Sequence, residues 1–170
     1  MQEENLSILR ALKQNIEEIV KPLEDARLEA YGENRENVQS GLDAIMSELT
    51  MVVILLTGAD SNVSVQELEL INDMRHVVYG HGIPELSSSD YFDLCEQFLR
   101  IYPNRRMTVD HIPTSVQLLS AYDKEHGTNY AEKARILFIQ FADAIVKSDK
   151  KEDSYESMTL ANFKDILNAA

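Results

Sequence analysis

The densest repeated pattern of potential ligands lies in two acidic stretches. Asp60-Ser-Asn-Val-Ser64-Val-Gln-Glu67 and Asp149-Lys-Lys-Glu-Asp153-Ser-Tyr-Glu156 share an Asp, a Ser or Asp four positions on, and a Glu seven positions on. Carboxylates and carbonyls are hard oxygen donors, suited to Ca²⁺, Mg²⁺ or Mn²⁺ rather than to a metal that prefers thiolate. An EF-hand is excluded. Asp60, Asn62 and Ser64 fall at its first, third and fifth loop positions, but Val65 replaces the turn glycine and Ile71 the closing glutamate. The same residues also make sense as structure, since Ser64 and Glu67 have capping-box spacing and Asp60 suits a turn or a helix start. Both readings predict acids at helix starts, and only the first asks the two stretches to meet.

Other chemistry has little support. His76 and His81 are five apart across a helix end and a turn, His111 and His126 are distant, and there is no HExxH and no second cysteine. The histidines therefore read as structural or surface residues, and Cys95, among Leu94, Phe98 and Leu99, as inert core. Walker A, dinucleotide-fingerprint and nucleophile-elbow motifs are absent, and no nucleophile–base pair is legible, so the chain reads as a non-enzyme.

The elements that must carry these acids are helical. Leu9, Leu12, Ile16, Ile19 and Leu23 alternate steps of three and four, predicting an amphipathic helix over about 5–30 that Pro22 loosens and Gly32 ends. Its seam packs either on its own domain or on another chain. A second helix is expected over about 36–57, with Val38, Leu42, Ile45, Leu49, Val52 and Val53 inward. Met51 to Leu56 is apolar all round, which marks a central helix, and Gly58 can cap its end. Ser64 then opens a third helix to about Tyr79, with Leu68, Ile71, Met74 and Val78 as its core face. The turn Gly80-His-Gly-Ile-Pro84 leads to a fourth helix, capped by Ser87, Ser88 or Ser89. Tyr91, Leu94, Phe98 and Ile101 face inward there, Phe92, Cys95 and Leu99 widen that face, and Pro103 and Asn104 close the helix. A fifth runs from Pro113 or Thr114 to about Glu125, and a sixth from about Asn129 to Lys147. A polar run from Ser148 to Glu156 precedes the last, which carries Leu160, Phe163, Ile166 and Leu167. The expected fold is all-α, a single bundle of about seven helices over residues 1–170, with the helix in 1–32 as a candidate extension.

Composition narrows the partners. Twenty-nine acidic residues against sixteen basic ones leave a net charge of −13. Such a surface repels phosphate backbones and anionic lipid, which argues against nucleic acid and membrane surfaces. The longest apolar run, Met51–Leu56, is far short of the ~20 residues of a membrane span. A single cysteine and a start without a basic n-region fit a cytoplasmic location. A protein partner or self-association remains open.

The two acidic stretches are 89 residues apart, each following an apolar helix and preceding another, with Ile71 and Met74 corresponding to Leu160 and Phe163. The chain thus divides into two related helix–acidic loop–helix units. An apolar helix ending near Ala59-Asp60, a short loop, Val63-Ser64-x-x-Glu67 and a further helix, recurring near the C-terminus, resembles the TerB-like tellurite-resistance family, which includes the acidic domain of DjlA-type co-chaperones. The resemblance covers roughly residues 35–168. It implies a seven-helix bundle, a cytoplasmic stress-response role and an acidic divalent-cation site. By position that site would comprise Asp60, Glu67, Asp149 and Glu156. The alternative is a protein–protein adaptor whose acidic motifs are only helix caps.

Overall fold

A computed structural model describes residues 3–32, 40–57, 64–101, 112–148 and 154–170, without the side chains of residues 4, 5, 57, 98, 99, 101, 154 and 155. These residues form seven α-helices and no strand: α1 (Glu3–Tyr31), α2 (Gly41–Thr57), α3 (Val65–Tyr79), α4 (Ser88–Ile101), α5 (Thr114–His126), α6 (Tyr130–Ser148) and α7 (Ser154–Ala169). The all-α expectation holds.

The N-terminal helix belongs to the bundle. Leu9, Leu12, Ile16, Ile19 and Leu23 are each at most 1% exposed, buried where α1 packs on α2, α3, α5 and α6. The seam is therefore internal. Pro22 is itself buried and the helix runs through it, giving up one backbone donor. Gly32, at φ 71°, ends α1 in the left-handed region and donates its N–H to Leu28 O.

The apolar tract of α2 is buried on every side from Val52 to Leu56, and α2 packs against α1, α4, α5, α6 and α7. It is the central helix, as its all-round hydrophobicity predicts. Its start differs from the expectation at Glu36, because Ser40 is outside the helix and caps it: Ser40 Oγ accepts the Asp43 N–H at 3.1 Å. Glu24 of α1 also accepts the Gly41 N–H. A Cβ at position 41 would stand 2.9 Å from Glu24 Oε1, so glycine allows this close approach. Val38 and Gly58 lie outside the described residues, as do Pro103 and Asn104.

One inward assignment needs correction. Phe92 is 54% exposed, because the face of α4 that meets α2 is centred on Tyr91 and the half-buried Leu94 and Cys95. The placements of Phe98, Leu99 and Ile101 lie outside the described side chains. In α3, Leu70 and Asn72 join Ile71 and Met74 in the interior, while Leu68 and Val78 stay half-buried. Asn72 is buried because Leu86 satisfies it: Asn72 Nδ2 donates to Leu86 O at 2.9 Å, and Leu86 N–H donates to Asn72 Oδ1 at 2.8 Å.

The packing is crosswise between the two units. α2 meets α6, α2 also meets α7, and α6 in turn meets α3. Exchanging α2 with α6 and α3 with α7 reproduces these three contacts, so the related units face each other across the core.

Candidate functional site

Helix α3 begins with a reciprocal cap. Ser64 Oγ accepts the Glu67 N–H at 3.1 Å, and Glu67 Oε2 accepts the Ser64 N–H at 2.7 Å. Glu67 is the third residue of α3 and only 1% exposed. Helix α7 begins at Ser154, earlier than the polar run implies, so Glu156 is the third residue of its helix too, and it is 6% exposed. Glutamate is seldom so buried. Finding two at the same helical position in the two units is the strongest structural echo of the repeat. Asp60 and Asp149, with Lys150 and Lys151, lie outside the described residues.

Elsewhere acids serve helix starts over long range. α5 has no side-chain cap of its own, and Glu48 of α2 supplies one. Its carboxylate accepts the Ser115 N–H at 3.1 Å and also the Ser115 hydroxyl proton. Asp123 of α5 accepts N–H groups from Tyr130 at 2.9 Å and Ala131 at 2.7 Å, and the Thr128 hydroxyl at 2.5 Å, at the start of α6. Ser87 and Asp90 cap α4 reciprocally, and the Ser87 hydroxyl and N–H, both donating to the Asp90 carboxylate, hold that carboxyl below its ordinary value. Part of the acidic excess thus neutralises the positive ends of helix dipoles.

Burial pushes the Glu48 carboxyl above its ordinary value, while Ser115, the Thr114 backbone and the Arg27 charge pull it part of the way back. Because the folded value is raised, the folded chain takes up this proton before the unfolded chain does. Stability contributed by the group therefore grows as pH falls through the folded value toward the unfolded one, and shrinks as pH rises. Glu48→Gln keeps an acceptor and removes the titration. Relative to Glu48→Gln, the wild type should gain stability between pH 7 and pH 4 in urea unfolding. Glu48→Ala should instead cost about 1–3 kcal/mol at pH 7, having stranded the Ser115 donors. Equal losses for both variants at pH 7 would contradict the desolvation argument.

A further cluster joins α1 to α5. One ligand atom from each of Glu29, Glu125 and His126 lies within 4.8 Å of the others, and all three residues are exposed. His126 Nε2 is 2.9 Å from Glu29 Oε1, and its ring stacks on Tyr122 at 4.1 Å. No local spacing marks this cluster, since Glu29 is 97 residues from His126. An open groove of about 410 Å³ runs along α5 from Val116 to Glu125 and ends at Ala170.

No protein-family model, curated protein or solved structure matches this chain.

Proposed function

We propose that this chain is a non-enzymatic, cytoplasmic stress-response module of the TerB-like kind, binding a divalent cation through the acidic starts of its two units. The observation that carries the reading is the matched burial of Glu67 and Glu156, each third in its helix, in units that pack crosswise. Both side chains are hard oxygen donors, and a carboxylate that accepts a hydrogen bond keeps further lone pairs to offer a cation. Asp60 and Asp149 complete the proposed donor set, which suits Ca²⁺, Mg²⁺ or Mn²⁺.

Thermal unfolding with each cation at millimolar concentration tests this. A cation that binds only the folded chain adds about 2.7 kcal/mol at a hundredfold excess over Kd. At roughly 2–4 °C per kcal/mol for a chain of this size, melting should rise by several degrees. The double variant Asp60→Asn, Asp149→Asn should abolish the rise without weakening the cation-free protein. No rise in the wild type for any of the three ions would sink the proposal.

A second reading is favoured by the capping box itself. Glu67 Oε2 already receives the Ser64 N–H, which gives this acid a structural task. On that reading the chain is a protein–protein adaptor and the acidic motifs are only helix caps. The buried α1 seam then cannot be the working surface, which must lie on exposed faces. Glu67→Gln separates the readings, because it can keep the capping box while removing the charge a cation needs.

A further inference from the structure

The turn after α3 is tied back onto its own helix. Gly80, at φ 90°, turns the chain while its N–H still bonds His76 O at 2.9 Å. Arg75 Nη1 donates to Pro84 O at 3.1 Å, and Asn72 exchanges two hydrogen bonds with Leu86. Tyr79 fixes the same helix end to α2, its hydroxyl donating to Asp43 Oδ1 at 2.9 Å. Burial and that carboxylate push the Tyr79 phenol up to about 12, so it stays a donor at neutral pH. Residue 81 is therefore held over the last turn of α3 by contacts on both sides of it.

This arrangement brings the His81 ring to 5.3 Å from the His76 ring, centroid to centroid, with a 47° tilt. Two imidazoles on one ion, at Zn–N distances of about 2.0–2.1 Å and a near-tetrahedral angle, have centroids roughly 5 Å apart. Turning an imidazole over about χ2 exchanges its nitrogens with its carbons and leaves the centroid in place, so the centroid spacing is the relevant match. Among the described residues neither ring has a hydrogen-bond partner, whereas His126 already contacts Glu29 through Nε2. His76 is half-buried and His81 exposed, which leaves an approach from solvent. The tethering means that little further ordering is needed to bring both ligands to one ion.

We propose that His76 and His81 form a two-imidazole site for a borderline transition-metal ion of the Zn²⁺ class, with water completing the coordination shell. Imidazole is a common ligand for such ions, and the hard cations of the acidic units would not compete well for it. The site is independent of the acidic-loop reading, and either can fail alone.

Titrating the full chain with ZnCl₂ by calorimetry, while following the imidazole nitrogens by NMR, tests the proposal. The wild type should bind saturably, with His76 and His81 resonances perturbed together. Changes outside the ligand shell of a metal site cost about 10–100-fold in affinity, so His76→Gln and His81→Gln should each cost at least roughly tenfold. His126→Gln should leave the affinity unchanged. Retained affinity in either His76→Gln or His81→Gln would overturn it, as would perturbation centred on His126 or His111, or the absence of saturable binding.

Discussion

Leu12→Asp combined with Ile16→Asp should abolish folding, leaving a chain with little helical signal in the far-ultraviolet spectrum. Both side chains are 1% exposed, in the interface of α1 with α2, α3, α5 and α6. Truncating a buried Leu or Ile costs about 2–5 kcal/mol, and two such sites already approach a typical domain stability of about 5–15 kcal/mol. Each aspartate adds the cost of a carboxylate placed in the core without a partner. Ala11→Asp is the control, because residue 11 is exposed on the same helix and should change stability little. Light scattering separates this outcome from loss of an oligomer. A double variant that keeps its helical signal and melting temperature while halving in mass would mean that the seam joins two chains.

The helices themselves were legible because their apolar residues recur at three and four positions, and burial then selects that face. The seam of α1 and the all-round apolar tract of α2 were readable for this reason, and Ser64 with Glu67 because a capping box is local. What escaped depends on contacts distant in sequence. Glu48 and Ser115 are 67 residues apart, and no spacing rule connects an acid in one helix with the bare start of another. The start of α2 at Gly41 is fixed partly by Glu24, seventeen residues earlier. Phe92 was misplaced because an apolar residue within a helical pattern does not by itself reveal which face its neighbours will cover. At the proposed acidic site, Glu67 and Glu156 fall at matching helical positions, while Asp60 and Asp149 are beyond the described residues. The two histidines were readable as residues, but their approach depends on Asn72 and Arg75 tying down the turn between them and Leu86.

Asp123→Ala should be a costly change at a half-buried acid. This one residue closes α5 and opens α6. Its carbonyl accepts the Gly127 N–H at 2.8 Å, and Gly127 takes the left-handed φ of 66° that ends α5. Its carboxylate then holds two N–H groups of the first turn of α6 and the Thr128 hydroxyl. Alanine keeps the backbone interaction and loses all three side-chain hydrogen bonds. Loss of a helix cap costs about 0.5–2 kcal/mol, and loss of a negative charge at a helix start about 0.3–1 kcal/mol. The combined cost of about 2 kcal/mol should lower melting by about 4–8 °C for a chain of this size. Asp123→Asn keeps one acceptor oxygen, turns the other into an NH₂ donor and removes the charge, so it should fall between alanine and wild type. Adding salt should narrow the gap between wild type and Asp123→Asn, because it screens the charge–dipole part. Hydrogen exchange should locate the loss at the Tyr130 and Ala131 amides, whose partner has gone. If Asp123→Ala melts with the wild type and those amides remain protected, the α5–α6 corner is held by packing alone, and the carboxylate is free for another role.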